Sequence, residues 1–320
     1  MDRRAFLVTA AAAPLALTAA PAAARLAGGT PLALVTADLE ARVVAWPLVS
    51  GRPRAIATPP GPRSIETVGD GRLALAAHTS AGAVSLIDMA TLSVSRVLRG
   101  FAQPRYTAAA PDGLHAYVTD AARGELVTVD LALGRVVRRT RVGARARHLS
   151  LDPASMTLWT ALGFSAPEIA VVDVSRPDRP RLVARIRPPF PAHDVVFAPA
   201  GEHVWVSSGS QRRLAVFDRT TRRPLELLDA GRPPQHLTFA GGAAHVTSDD
   251  ELRLHRPRDG RLLRATPLPE GSYNVTSGFG LVFTPSLERG TLTVLDERGR
   301  TLERPRVARS AHDACFVVST

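Results

Sequence analysis

A short segment that opens with histidine, tyrosine or serine and leads into apolar residues recurs seven times along this 320-residue chain. The seven opening residues, called openers below, are Ser64, Tyr106, His148, His193, His236, Tyr273 and His312. Successive openers lie 37 to 45 residues apart, which is the length of one four-stranded β-propeller blade. The spacing therefore predicts an all-β fold, a seven-bladed β-propeller.

The signals inside each repeat follow one order. After Tyr106, residues 107–110 read as a strand, Pro111-Asp112-Gly113 as a turn, and residues 115–119 and 126–130 as two further strands. An aspartate closes this third strand in five repeats, where its carboxylate can accept backbone N–H bonds in the next turn. These aspartates are Asp88, Asp130, Asp173, Asp218 and Asp296. The fourth strands are rich in arginine, which suits an exposed sheet edge.

The two ends of the repeat array complement each other. The first repeat starts at residue 31 without an opening strand, whereas residues 312–318 form an opening strand that no repeat follows. We therefore predict that the C-terminal strand joins the N-terminal blade and closes the ring. The domain prediction is a signal peptide over residues 1–24, a short linker over 25–30, and a single propeller over 31–320.

The N-terminus has the features of an export signal. Arg3 and Arg4 precede an Ala-rich apolar run and the small residues Ala22-Ala23-Ala24. The arginine pair resembles a twin-arginine (Tat) signal, and the alternatives are an ordinary secretory signal or an uncleaved anchor. Localisation is predicted as exported, periplasmic or extracellular, with no membrane span in the mature chain.

The basic charge does not indicate a nucleic-acid partner. The net charge is +11, but all 40 basic residues are arginine, which is typical of a GC-rich coding bias. Aromatic residues make up 5% of the chain, and acidic residues are scattered among the arginines, so the basic stripe with interleaved aromatics expected of nucleic-acid binding is missing. We expect a monomer without a nucleic-acid partner, in which Cys315 is a buried apolar residue.

Residues 111–130 carry a family resemblance. Pro-Asp-Gly-Leu-His-Ala-Tyr-Val-Thr-Asp, followed by Leu-Val-Thr-Val-Asp, resembles the bacterial YVTN-type repeat, a WD40-like propeller repeat. The repeat after His236 departs from the pattern, because Gly241-Gly242 replaces the Pro-Asp-Gly turn. The resemblance implies a propeller fold but no particular activity, since such propellers serve as enzymes, ligand binders and interaction platforms.

The openers are the strongest candidates for chemistry. The first strand of each blade lines the central channel, so the openers should form a ring around one channel mouth. His148, His193 and His236 lie on consecutive blades and could bind zinc or copper. Alternatively, each histidine could hydrogen-bond the backbone of the neighbouring blade and serve packing alone.

Three arginines precede openers on consecutive blades: Arg63, Arg105 and Arg147. If they point to the same mouth, they favour a carboxylate or phosphate ligand; if not, they are loop arginines. The predicted ligand-binding set is Arg63, Arg105, Tyr106, Arg147, His148, His193, His236, Tyr273 and His312.

We predict a binding module for a protein partner or a small, anionic ligand at one face of the disc. The alternative is a propeller enzyme, either a metal-dependent oxidoreductase that uses the hub histidines or a lactonase-like hydrolase. No motif such as HExxH, GxSxG or CxxCH identifies catalytic residues. The sequence therefore leaves catalysis and cofactor use open, with zinc and copper as the candidate cofactors.

Overall fold

The computed structural model describes residues 29–152, 154, 156–199 and 202–319. The predicted signal peptide and most of the predicted linker lie outside the described residues. Within them the chain forms 28 β-strands in seven four-stranded antiparallel sheets. The described part of the chain includes no helix long and apolar enough to cross a bilayer.

Each sheet is one blade, and the blades are numbered along the chain. Blade 1 contains β1 (Thr30–Ala37), β2 (Arg42–Pro47), β3 (Arg54–Ala57) and the last strand, β28 (Ala314–Ser319). Blade 2 contains β4 (Pro62–Val68), β5 (Leu73–His78), β6 (Ala83–Asp88) and β7 (Ser93–Arg99). Blade 3 contains β8 (Pro104–Ala109), β9 (His115–Asp120), β10 (Glu125–Asp130) and β11 (Arg135–Arg141). Blade 4 contains β12 (Ala146–Asp152), β13 (Thr157–Leu162), β14 (Ile169–Asp173) and β15 (Arg181–Ile186).

The last three blades follow the same order. Blade 5 contains β16 (Val195–Phe197), β17 (His203–Ser207), β18 (Arg213–Asp218) and β19 (Pro224–Asp229). Blade 6 contains β20 (Leu237–Ala240), β21 (Ala243–Ser248), β22 (Glu251–His255) and β23 (Leu262–Pro267). Blade 7 contains β24 (Thr276–Gly278), β25 (Leu281–Pro285), β26 (Leu292–Asp296) and β27 (Thr301–Glu303).

The ring closes as the sequence predicts. β28 is the inner strand of blade 1 and pairs antiparallel with β1, with Leu34 opposite Cys315. Because these strands come from opposite ends of the chain, closure ties the two ends together through backbone hydrogen bonds. The seven-bladed all-β fold and its closure are thus confirmed.

The aspartates at the ends of the third strands act as expected. Asp88, Asp130 and Asp173 each accept a backbone N–H two or three residues ahead, at 2.8 to 3.0 Å. Blade 6 has His255 at this position, and its Nδ1 donates to the carbonyl of Gly260 at 2.9 Å. In this blade a histidine, and not an aspartate, therefore makes the side-chain hydrogen bond to the turn.

The apolar core lies between the blades. Each of the seven hydrophobic clusters draws residues from two neighbouring blades. Trp159 of blade 4 packs edge-on against Phe217 of blade 5, with ring centroids 6.0 Å apart. Trp205 of blade 5 packs in the same manner against Phe239 of blade 6. Cys315 is buried in the cluster between blades 1 and 2, and burial raises the pKa of its thiol.

The outermost strand of each blade is mostly exposed. In six blades the third and fourth strands pair with a register shift, of which the shift between Thr128 and Val129 in blade 3 is one. Such a bulge increases strand twist and protects the sheet edge from pairing with other chains. The first strands of the blades meet in the interior of the disc, and the polar candidate site lies there.

Candidate functional site at the channel mouth

The openers stand where the inner strands begin. Ser64, Tyr106 and His148 lie inside β4, β8 and β12 near their first residues. The other four openers come one to three residues before β16, β20, β24 and β28; they are His193, His236, Tyr273 and His312. A cavity of about 250 Å³ at this end of the channel is lined by five openers: Tyr106, His193, His236, Tyr273 and His312.

Buried hydroxyl groups at the ends of second strands hold the opener backbone. Thr119 accepts the N–H of Tyr106 at 3.1 Å and donates to the carbonyl of Arg147, in the next blade, at 2.8 Å. Thr247 accepts the N–H of His236 at 3.2 Å and donates to the carbonyl of Tyr273. Each hydroxyl thus links one blade to the next beside an opener, which positions neighbouring openers relative to each other.

Three histidines converge at the hub. One ring nitrogen from each of His148, His193 and His236 lies within 4.8 Å of the other two. The ring centroids are 4.5 to 5.1 Å apart. All three residues are at least 91% buried, and they come from blades 4, 5 and 6. We call this set the hub histidines.

The Nδ1 atom of each hub histidine faces an oxygen. His148 Nδ1 contacts the carbonyl of His193, and His193 Nδ1 contacts the carbonyl of Phe164 at 3.0 Å. His236 Nδ1 lies 3.3 Å from Oδ2 of Asp194. A neutral imidazole that donates through Nδ1 carries its lone pair on Nε2. The hub histidines therefore join neighbouring blades through Nδ1, as the packing interpretation expects, and still have Nε2 available as an acceptor.

The hub disfavours the protonated form of His148 and of His193. Burial lowers the pKa of His148 well below its ordinary value, and the nearby His193 and His236 add to the effect. Burial, followed by the proximity of His236, lowers the pKa of His193 to about 4. The Nε2 atom of His148 is buried and has no hydrogen-bond partner among the described residues. At neutral pH His148 and His193 thus present neutral nitrogen donors.

The remaining openers surround this cluster. The Tyr106 ring lies 4.1 Å from the His148 ring, and burial raises the pKa of Tyr106 to about 12, so that it is a neutral phenol. Ser64 is buried, with its hydroxyl 3.4 Å from that of Thr107. His312 donates from Nδ1 to the carbonyl of Arg63 at 2.6 Å. It lines the cavity but is not part of the three-histidine cluster.

The three arginines reach the same mouth. Arg63 and Arg147 line the 250 Å³ cavity, while Arg63 and Arg105 line a neighbouring cavity of about 520 Å³. Burial, followed by repulsion from Arg147 and Arg63, lowers the pKa of Arg105 to about 10. Arg63 lies 3.7 Å from a carboxylate oxygen of Asp38. Across the described residues, neither Arg105 nor Arg147 has a carboxylate partner within salt-bridge distance.

Arg147 has aromatic partners instead. Its guanidinium lies over the Phe164 ring, 5.3 Å from the centroid, and its positive charge partly offsets the burial that raises the pKa of Tyr106. These contacts orient the group without neutralising its charge. The mouth can therefore offer positive charge to an anion and neutral imidazole nitrogens to a metal ion.

Asp194 and Asp313 each connect two blades at the hub. Asp194 follows His193 but contacts His236 of the next blade, and its Oδ2 also accepts the N–H of Leu237 at 3.3 Å. Asp313 occupies the equivalent position after His312 and accepts the N–H of Ile65 at 3.1 Å. Because adjacent side chains on a strand point to opposite sides, each aspartate reaches the neighbouring blade and not the histidine beside it.

Sequence reasoning missed some cavity residues, among them Phe164 and Leu287. Both lie in six-residue loops between second and third strands, at residues 163–168 and 286–291. The equivalent loop of blade 3 has four residues. The longest opener spacing, 45 residues between His148 and His193, was the available signal for the first of these loops.

Comparison with known proteins identifies the fold. No protein-family model matches the chain, and no curated protein matches it. A Desulfotomaculum acetoxidans protein of unknown function has a similar structure, with a TM-score of 0.78 and 10% identity over 89% of this chain and 98% of that one. Hydrazine synthase of Kuenenia stuttgartiensis gives a TM-score of 0.68 and 16% identity over 79% and 89%.

A Bacteroides fragilis protein described as a candidate 6-phosphogluconolactonase gives a TM-score of 0.72 and 10% identity, over 91% of this chain and 98% of that one. At these identities the similarity establishes a shared propeller fold. The neighbours differ widely in what they do, so function has to be argued from the site.

Proposed function

We propose that this propeller is a binding module that takes up a small anionic ligand at the channel mouth, held by Arg63, Arg105 and Arg147. The observation that carries the proposal is the placement of three guanidinium groups, from blades 2, 3 and 4, around two adjoining cavities. Asp38 is the carboxylate that pairs with one of them. The ligand class is a carboxylate or a phosphate, since both accept charge-assisted bonds from arginine.

The charge arrangement supports an anion. Like charges that are partly removed from water repel each other, and the pKa of Arg105 is lowered first by burial and then by repulsion from Arg147 and Arg63. The Nε atoms of all three arginines are buried without a hydrogen-bond partner among the described residues. A bound anion supplies the missing acceptors and reduces the repulsion, so its binding gains from two sources.

The size of the mouth supports a small ligand. The cavity of about 520 Å³ between Arg63 and Arg105 falls within the range of about 300–1,000 Å³ typical of small-molecule sites. Its wall includes hydroxyl and amide groups from Thr79, Ser80 and Gln103. These groups can hydrogen-bond a polar body attached to the anionic group.

The test is anion binding by the full-length chain. Isothermal titration with citrate and with inorganic phosphate should give saturable binding, and Arg105→Gln should weaken it by about 10-fold to 100-fold, the value of one hydrogen bond to a charged group. Arg179→Gln is the matched control, because it removes the same charge from a side chain that is 70% exposed and far from the mouth in sequence. The proposal fails if neither anion binds or if the two variants behave alike.

The cellular location belongs to the same proposal. We place the mature protein outside the cytoplasm on the strength of the paired arginines and the small-residue cleavage pattern. The Tyr117-Val118-Thr119 segment supports membership of the YVTN-type repeat proteins. N-terminal sequencing of protein from the cell envelope of its host should begin near residue 25; a protein recovered only from the cytoplasm with residue 1 intact argues against export.

The lactonase-like alternative shares the anionic ligand and can be separated by activity. An enzyme of that class hydrolyses a lactone, so the same preparation should turn over 6-phosphogluconolactone faster than the Arg105→Gln variant does. Anion binding without such turnover favours the binding module.

A further inference from the structure

The hub histidines have the chemistry of a metal site. We propose that His148, His193 and His236 together bind one divalent transition-metal ion, zinc(II) or copper(II), through their Nε2 atoms. Neutral imidazole is a preferred ligand of both ions. The ion would use different side chains from the anion, although Arg63 and Arg147 line the same cavity as His193 and His236, and its binding does not depend on the anion-binding function.

The Nδ1 contacts of the three rings support coordination through Nε2. A histidine that binds a metal typically donates its other ring N–H to a carbonyl or carboxylate, which fixes the ring and makes the ligand nitrogen more basic. Here the Nδ1 partners are the carbonyls of His193 and Phe164 and the carboxylate of Asp194. Each of the three rings thus has the supporting contact that a metal ligand needs.

His148 supplies an independent observation. It is 1% exposed, yet its Nε2 has no hydrogen-bond partner among the described residues. A buried acceptor without a partner is unfavourable. Coordination of an ion between His193 and His236 satisfies this nitrogen.

The spacing allows one shared ion after a small movement. One ring nitrogen from each of the three histidines lies within 4.8 Å of the other two, whereas nitrogens on a tetrahedral zinc ion are about 3.3 Å apart, given zinc–nitrogen bonds of about 2.0 Å. Closing a triangle from the first spacing to the second moves each ring inward by at most about 0.9 Å. Changes of side-chain torsion are sufficient for this.

The surroundings leave one coordination position open. His193 and His236 line the cavity of about 250 Å³, so an ion bound between them faces that space. Three histidines with a fourth position open to a small molecule is the arrangement of catalytic zinc sites. The nearby charge of Arg147 disfavours a cation, whereas Asp194, next to His236, favours one.

The experiment is metal binding by the full-length chain prepared with chelator and then freed of it. Competition titration with zinc(II), and separately with copper(II), should give one equivalent bound. His148→Ala, His193→Ala and His236→Ala should each weaken binding by about 100-fold or more, beyond the 10-fold to 100-fold typical of changes to supporting residues. The control is His203→Ala, a histidine of β17 outside the cluster.

A second measurement does not require the variants to fold. X-ray absorption of the zinc-loaded wild-type protein should show three imidazole ligands with zinc–nitrogen distances of about 2.0 Å. Less than 0.2 equivalents of either metal bound at micromolar free concentration overturns the proposal. So does binding that all three variants retain, or an absorption spectrum without imidazole ligands.

Discussion

Two groups of three buried histidines can be compared in this propeller. The hub histidines are His148, His193 and His236. The blade histidines, which lie inside individual sheets, are His78, His245 and His255. Burial lowers the pKa of members of both groups, to about 4 for His193 and for His78. Both groups also use one ring nitrogen for a hydrogen bond, as His78 does to Ser85 at 2.8 Å.

The groups differ in whether their ring nitrogens come together, and not in whether a nitrogen lacks a partner. His255 Nε2 is buried without a partner among the described residues, as His148 Nε2 is. Only the hub nitrogens converge within the described part of the chain, because three inner strands bring them to one axis. Burial and a depressed pKa therefore do not separate the two groups, whereas the convergence of ring nitrogens from three blades does.

The lowered histidine pKa, which occurs in both groups, predicts the largest effect on stability. His78 has a pKa of about 4 in the folded state against an ordinary value of 6.5, so between these values the unfolded chain binds more protons. The contribution of His78 to the free energy of unfolding is fully present above pH 6.5 and is lost progressively as the pH drops towards 4. At pH 4.5 the loss from this residue is about 2.5 kcal/mol.

Urea unfolding at pH 7.5 and 4.5 measures the loss. His78→Gln should reduce the difference between the two pH values by about 2.5 kcal/mol, and His193→Gln, whose histidine has a similar pKa, should do the same. The control is His203, a half-buried histidine outside both groups, and His203→Gln should reduce the difference less than the other two variants do. Equal pH dependence in all four proteins contradicts the assignment.

The convergence of ring nitrogens, which separates the hub histidines from the blade histidines, predicts the next largest effect on stability. If the hub binds zinc, a free concentration 10 times the dissociation constant stabilises the protein by about 1.4 kcal/mol. A thermal unfolding experiment should show this increase in wild type and in His78→Gln but not in His193→Gln. If the zinc-dependent increase is lost in His78→Gln and kept in His193→Gln, the distinction between the two groups is wrong.

Features that repeat locally could be predicted from the sequence. The number of blades, the aspartates that end third strands and the closing role of residues 314–319 follow from patterns within about 45 residues. Each of these patterns repeats, so several copies support one interpretation. Such features depend on local turn chemistry and on strand alternation, which a sequence displays directly.

The site could be predicted only in part, because it depends on contacts between blades. The openers were found, but the direction of each ring is decided by the oxygen that its Nδ1 reaches on a neighbouring blade. His312 bonds the carbonyl of Arg63 in blade 2 and lies outside the cluster, while His236 bonds Asp194 of blade 5 and lies inside it. No spacing in the sequence distinguishes these two openers.

The two hub aspartates offer a smaller and more selective test. Asp194→Asn weakens the acceptor for His236 Nδ1 and should lower zinc affinity by about 10-fold to 100-fold. Asp313→Asn is the matched control, because Asp313 makes the equivalent backbone contact to the next blade but is not among the contacts of a hub histidine. Competition titration of both variants gives the comparison, and an equal loss in the two would assign the effect to blade packing.

The smallest effect is expected for a histidine that has a charged partner but is only partly buried. His115 at the start of β9 lies 2.7 Å from Asp112, with the two side chains 22% and 32% exposed. Because water screens such a pair, His115→Ala should change stability by less than about 1 kcal/mol at pH 6. Urea unfolding at that pH measures the change. A loss as large as that of a blade histidine would mean that the partner, and not burial, determines how much a histidine of this propeller contributes.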